Sequence, residues 1–235
     1  MELNEIKKEL ETYVNPEKPV VLQRFFKTGE GEYGEGDIFI GVSVPDCRKV
    51  AQKFSDLNLE EVKEIIYSEI HEVRLTGWLI LVGKFKKCDE NSRREIYDFY
   101  LKHAKQVNNW DLVDLSCSNI VGGFLLDKKD RGVLDKLAKS DNLWEKRIAI
   151  VSCFAFIREN DFKDILKISE NLLGDKHDLI HKAIGWMLRE VGKRDVAVLE
   201  KFLKEHYEDI PRTTLRYAIE RFDEKKRKAW LRGAI

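Results

Sequence analysis

Apolar residues recur every three or four positions along most of this chain, which is the spacing of one face of an α-helix. Two clear stripes are Leu3, Ile6, Leu10 and Tyr13, and then Val62, Ile65, Ile66 and Ile70. Strand-like alternation is weak, and its best example, residues 37–44, is short and isolated. We expect residues 37–44 to form a loop that enters a helix, and we predict an all-α fold.

Several helix boundaries are marked by residue types that cap or interrupt helices. Asn58 and Asn142 each stand three residues before a glutamate, a variant of the capping box that begins a helix. Pro45 suits the first position of a helix, where no backbone N–H is needed. Gly192 follows the apolar segment that contains Trp186, and we expect this glycine to end that helix.

The predicted helices repeat with a period of about 37 residues. A Glu-x-Arg-apolar pattern occurs at residues 72–75 and again at 145–148, and the segment of Trp110 lies midway between them. The same spacing carried forward reaches the segment of Trp186. This period is typical of a curved α-solenoid of HEAT-like helical repeats, in which neighbouring helix pairs stack. We predict a single domain over residues 1–235, with a concave surface lined by the inner helices.

Composition narrows the class of protein. The 235 residues are 43% hydrophobic and 36% charged, and no apolar run approaches the roughly 20 residues of a membrane span. The acidic, polar start is unlike a signal peptide. The four cysteines are widely spaced, which argues against a zinc site or a disulfide framework and suits a reducing compartment. We therefore expect a cytoplasmic protein that is not associated with membranes.

The net charge of zero conceals an uneven distribution. Residues 1–100 hold 15 basic and 20 acidic side chains, whereas residues 176–235 hold 15 basic and 10 acidic. A basic C-terminal part is compatible with phosphate contacts. An ordinary solvated surface would have the same distribution, so charge alone does not distinguish a phosphate-binding surface from a solvated one.

Aromatic and charged residues coincide in the repeated segments. Side chains four positions apart share a helical face, so Trp110 and Asp114 should point the same way, either as packing or as chemistry. Lys182, Trp186 and Arg189 share a face by the same argument. Three segments occupy equivalent positions in the repeat and are expected to face the concave side: those of Trp110/Asp114, Trp144/Arg147 and Trp186/Arg189. Cations and rings in one surface suit a nucleic-acid backbone.

Other chemistry is less well supported. The five histidines are scattered, and although His177 and His181 are four residues apart, no nearby Glu or Cys completes a metal site. We therefore expect no metal. Trp78 lies among apolar residues and is assigned to the core. Asp111 is expected to start a helix or to pair with a neighbour.

At several of these segments the sequence resembles the DNA alkylation repair family, the AlkD-type alkylpurine DNA glycosylases. The resemblance covers most of the chain, and no single motif decides it, but their order and spacing together are specific. The segments that carry it are residues 25–29, 31–37, 41–45, 109–114, 140–147, 182–190 and 211–220.

The resemblance implies a curved stack of HEAT-like repeats that removes positively charged purines, such as 3-methyladenine and 7-methylguanine, from double-stranded DNA. It implies that Asp114 is the catalytic carboxylate, that Trp110 and Trp186 contact the DNA backbone, and that Arg147 binds a phosphate. Lys182 and Arg189 are further candidate DNA contacts. No cofactor is implied, and recognition is expected through the backbone, on an open surface without a base pocket. We expect a monomer.

Two other functions remain open at this point. One is a non-catalytic protein of the same superfamily that binds unusual DNA structures, although the presence of Asp114 with both tryptophans weighs against it. The other is a HEAT-type scaffold for protein interactions, which would lack the salt-dependent DNA binding that both DNA hypotheses require. The role of the acidic glycine-rich loop, residues 28–37, is open as well.

Overall fold

The computed structural model describes residues 2–234 and is all-α. Its contacts divide the chain into two compact units, the first ending at Ile120 and the second beginning at Val121. The helices that begin in the first unit are α1 (Glu2–Glu11), α2 (Lys18–Phe25), α3 (Val44–Lys53), α4 (Leu59–Ile66), α5 (His71–Lys87), α6 (Glu90–Lys102) and α7 (Trp110–Leu125), with a 3-10 turn at Ala104–Gln106. Those of the second unit are α8 (Gly132–Ala138), α9 (Leu143–Ser152), α10 (Phe154–Arg158), α11 (Lys163–Leu172), α12 (Asp178–Arg194), α13 (Val196–Glu205), α14 (Arg212–Ala218) and α15 (Glu224–Arg232).

The core of the first unit forms around α5. This helix packs against α1, α3, α4 and α6, and its residues 71–82 are all buried. Trp78 of α5 is fully buried, and its ring lies 5.0 Å from that of Tyr100 in α6. The assignment of Trp78 to the core is therefore confirmed. The apolar stripes also face inward, since Ile6, Leu10 and Val62 are fully buried.

The helix starts in the first unit follow the sequence signals. Asn58 forms a complete capping box with Glu61 at the start of α4. Residues 37–44 form the predicted loop, whose only ladder contact among the described residues is an isolated bridge between Ile38 and Ile70. Ser43 then caps α3, and Pro45 lies in its first turn. The capping box and the loop are confirmed, whereas Pro45 lies one position after the first residue of its helix rather than at it. The helix starts depend on contacts within a few residues of sequence.

The second unit is organised around α12, which packs against α9, α13 and α14. The expectation that Gly192 ends this helix is wrong, because α12 continues to Arg194. A Cβ atom at Gly192 would lie 2.4 Å from Cδ2 of Leu199 in α13. The glycine therefore permits the close approach of the next helix, and the break in the chain comes at Asp195, which caps α13.

The predicted fold class, all-α and of the α-solenoid kind, is confirmed. Within each unit, helices pack mainly on helices that are close in sequence, as in repeat proteins. Among the described helices, none is both long and apolar enough to cross a membrane. A single domain over residues 1–235 with a concave surface stays a prediction.

Candidate functional site

A cavity of about 520 Å³ lies in the first unit, beside the start of α7. Its wall is mainly apolar and includes four aromatic rings, those of Phe25, Phe26, Phe39 and Trp110. Asp114 also lines this cavity. The cavity opens at the surface, and α2 and the loop before α3 supply walls that periodicity along the sequence does not indicate. Recognition through the DNA backbone without a base pocket stays a prediction.

Trp110 is held by two neighbouring phenylalanines. Its ring stacks on that of Phe26, with centroids 5.0 Å apart and planes 11° apart. Phe25 meets the same indole edge-on at 5.8 Å, and it is 63% exposed. Asp114 follows one helical turn later and is partly buried. Trp110 and Asp114 thus line one cavity, as their spacing predicts, while their roles stay predictions.

A group of five polar side chains adjoins the cavity, and we name it the His71 cluster: Asp37, His71, Arg74, Asn109 and Asp111. Its members His71 and Asp111 line the cavity itself. His71 Nε2 lies 2.8 Å from Oδ2 of Asp111, and His71 Nδ1 lies 3.2 Å from Oδ2 of Asp37. Arg74 forms an ion pair with Asp37, and Asn109 Nδ2 donates to Asp37 Oδ2 at 2.8 Å. The cluster joins the end of the glycine-rich loop to α5 and to the start of α7, and it confirms the pairing role expected for Asp111.

The charges in the His71 cluster shift two pKa values in opposite directions. Burial alone would lower the pKa of His71, but the charge of Asp111 and hydrogen bonds to Asp111 and Asp37 outweigh it and raise the pKa to about 9. Burial alone would raise the pKa of Asp37, but the hydrogen bond from His71 and the charge of Arg74 hold it below its ordinary value. His71 is therefore charged near neutral pH, and so is Asp37.

Glu72 fixes the loop that forms the other wall of the cavity. Its side chain is buried, and its Oε1 accepts hydrogen bonds from the backbone N–H groups of Ile40, Gly41 and Val42 at 2.8–3.2 Å. Sequence reasoning treated Glu72 and Arg74 as a repeat marker. In the structure both hold loop residues. The signal that could have revealed this is that they are the two charged residues within an otherwise uncharged stretch that runs to Gly83 in α5.

In the second unit, α9 does not present the exposed pair that was expected. Trp144 is only 7% exposed and Arg147 only 5%. Arg147 Nη1 donates to the backbone oxygen of Leu179 at 2.7 Å, near the start of α12. The expectation that this pair lies open on a surface is wrong, because α9 is enclosed by α8, α10, α11 and α12. Phosphate binding by Arg147 stays a prediction.

The remaining candidates lie on α12. Trp186 is partly exposed, and its ring centroid lies 6.1 Å from that of Phe154. Lys182 pairs with Asp178 at 2.7 Å, while Arg189 pairs with Glu220 and lies 3.6 Å from Glu190. Both cations thus already have carboxylate partners. Their contacts with DNA stay predictions.

Comparison with known proteins identifies the family. A sequence profile described as "DNA alkylation repair enzyme" matches residues 6–222. The chain belongs to the DNA alkylation repair family. It is similar to a solved structure described as a predicted DNA alkylation repair enzyme from Enterococcus faecalis, with a TM-score of 0.69 and 16% identity over 90% of this chain and 97% of that one. No curated protein matches the chain.

The family match spans nearly the whole chain, so it includes both the cavity and α12. The structural likeness is at 16% identity, so it supports only the helical fold and not a function. Within residues 2–234, no group of three or more His, Cys, Asp or Glu side chains is arranged to hold a metal ion.

Proposed function

We propose that this member of the DNA alkylation repair family is a monofunctional DNA glycosylase that excises positively charged N3- and N7-alkylpurines. The observation that carries the proposal is the cavity in which Asp114 lies with Trp110 and further aromatic rings. Asp114 is the catalytic carboxylate, and the substrate is double-stranded DNA that contains the lesion.

The proposed chemistry needs one well-placed negative charge. Alkylation at N3 or N7 makes the purine cationic, so the base leaves as a neutral molecule when its bond to C1′ breaks. Positive charge then develops on the deoxyribose, as in other glycosyl-transfer transition states. A carboxylate beside C1′ stabilises that charge and orients the attacking water. In the mainly apolar cavity the interaction is less screened than in water.

The aromatic wall has a complementary part in this proposal. The faces of aromatic rings carry partial negative charge and attract both sugar C–H groups and cations. Trp110, backed by Phe26, offers a rigid indole of this kind beside Asp114. We assign to Trp110 the contact with the sugar of the damaged nucleotide, and to Trp186 a second contact with the DNA backbone.

The substrate range follows from this assignment. A carboxylate and aromatic faces favour a departing group that is already cationic, and no acid is assigned that would protonate a neutral base. A neutral lesion such as hypoxanthine should therefore be released slowly or not at all, whereas 7-methylguanine should be released readily.

The proposal is tested by base release from duplex DNA that carries one defined lesion. The purified protein is expected to release 7-methylguanine faster than the spontaneous rate and to leave hypoxanthine in place. Binding of the 7-methylguanine duplex without release would instead favour the non-catalytic DNA binder. Absence of salt-dependent DNA binding would favour the protein-interaction scaffold.

A further inference from the structure

The His71 cluster connects three separate segments at the base of the proposed active site. Asp37 ends the glycine-rich loop, His71 begins α5, and Asp111 lies in the first turn of α7. His71, Asn109 and Asp111 are all at most 5% exposed. Their low exposure leaves little room for solvent, so these side chains satisfy most of their hydrogen bonds with each other, even though His71 and Asp111 also line the cavity.

The hydrogen bonds of His71 determine the protonation state of its ring. Each of its two ring nitrogens faces a carboxylate oxygen, at 3.2 Å on Asp37 and at 2.8 Å on Asp111. A carboxylate only accepts hydrogen bonds, and a neutral imidazole has a single N–H to donate. Only the imidazolium satisfies both contacts. Its charge also balances the two carboxylates together with Arg74.

A second route links the same imidazole to Trp110 through stacked rings. His71 stacks on Phe39 with centroids 4.4 Å apart, and Phe39 stacks on Phe26 at 4.7 Å. Phe26 in turn stacks on Trp110 at 5.0 Å. Trp110 and Asp111 are adjacent, so the stack and the hydrogen bond reach neighbouring residues in the first turn of α7 from one side chain.

We infer that the His71 imidazolium, clamped between Asp37 and Asp111, is a positioning residue that sets Trp110 and Asp114 for the reaction on the cationic base. The inference rests on the proposed function. His71 acts through α7 and through the ring stack. The glycine-rich loop has a part in this arrangement too, because Asp37 holds the second nitrogen of the ring.

The charged groups around His71 set the pH range over which its charged ring can position Trp110 and Asp114. Asp37 faces it from the loop, Asp111 from α7, and Glu72 and Arg74 lie on α5 itself, while Asp114 lines the same cavity. The pKa of His71 is about 9. Burial raises the pKa of Cys47, which interacts with Glu72 and Asp111, to about 12, so that thiol stays protonated as His71 titrates. The positioning should therefore fail on the alkaline side, as the ring loses its proton.

The test compares His71→Gln with wild type, with His206→Gln as the matched control. His206 also contacts a phenylalanine ring, that of Phe202, with centroids 4.5 Å apart, but it lies in the second unit. Two quantities are measured from about pH 7 to about pH 10. One is the indole N–H cross-peak of Trp110 in a ¹⁵N NMR spectrum, assigned with Trp110→Phe. The other is the single-turnover release of 7-methylguanine, corrected for spontaneous loss.

As the pH rises, we expect the wild-type Trp110 cross-peak to move and the release rate to fall, with a common midpoint near pH 9. His71→Gln should shift the cross-peak, abolish its pH dependence and slow release roughly 10- to 100-fold near pH 7. His206→Gln should match wild type.

A Trp110 cross-peak that is the same in His71→Gln and wild type, with the same pH dependence, overturns the inference. Unchanged release by His71→Gln overturns it as well. If wild type releases no base, the proposed function fails, and the cross-peak alone still decides whether His71 positions Trp110. If His71→Gln does not fold, the same measurements are made on His71→Asn. The inference then requires that the Trp110 cross-peak of His71→Asn be shifted from its wild-type position.

Discussion

The ring of Phe26 lies parallel to the indole of Trp110, with centroids 5.0 Å apart and planes 11° apart. Phe26 is 6% exposed, so it fills the space behind the indole, whereas Phe25 is 63% exposed and meets the indole only edge-on. Two adjacent residues of one type therefore differ in what they contribute to the candidate site.

Replacing these two phenylalanines should separate their contributions. Phe26→Ala removes a buried ring and should lower the free energy of unfolding by about 3–5 kcal/mol. Phe25→Ala removes a mostly exposed ring and should lower the free energy of unfolding by only about 0.5 kcal/mol. Urea denaturation of the two variants gives both values. Equal losses would contradict the packing described here.

The pKa of His71 has a consequence for folding stability that needs no substrate. The folded-state pKa of about 9 lies above the ordinary value of 6.5, so the charged ring stabilises the fold fully below about pH 6.5. That contribution, on the order of 3 kcal/mol, is lost as pH rises through about 9. The difference in Tm between wild type and His71→Phe should therefore shrink between neutral and alkaline pH. A constant difference would show that His71 is not charged in the folded protein.

Two helical glycines should respond to alanine with opposite signs. Gly192→Ala places a Cβ atom 2.4 Å from Leu199 and should destabilise the protein by about 1–3 kcal/mol. Gly83→Ala, within α5, meets no atom within 4 Å and should stabilise it by about 0.5–1 kcal/mol. Thermal denaturation of both variants checks the expectation, and stabilisation by Gly192→Ala would contradict the close approach of α13.

Arg147 either binds a DNA phosphate or has a structural role, and salt dependence distinguishes the two. If it binds a phosphate, Arg147→Ala should lower the slope of log affinity against log salt by about one, and Arg147→Lys should preserve the slope. Its burial and its bond to Leu179 predict a lower Tm in either case. DNA binding titrated over a range of salt concentrations decides, since an unchanged slope with a lower Tm marks Arg147 as structural.

Much of the fold could be predicted from the sequence because the signals are local. The stripes of Ile6 and Leu10, the capping box at Asn58 and the turn into α3 at Pro45 each depend on residues less than two helical turns apart. Gly192 shows the limit of such reasoning. Its role is set by Leu199 of another helix, and the residue type alone allows either a helix end or a close contact.

The candidate site was predicted in part for the same reason. Trp110 and Asp114 lie one turn apart, so their common direction follows from helical geometry. The His71 cluster joins residues 34 and 40 positions apart, and the cavity needs a wall from α2, neither of which periodicity reveals. The burial of Trp144 and Arg147 likewise depends on which helices enclose α9.

The most direct test of the central claim is the release of 7-methylguanine from duplex DNA by wild type and by Asp114→Asn under single-turnover conditions. The substitution keeps the shape of the side chain and removes its charge. If the carboxylate stabilises the developing positive charge, the rate should fall on the order of 100-fold or more while DNA affinity changes little. Equal rates of release by the two proteins would contradict the role assigned to Asp114.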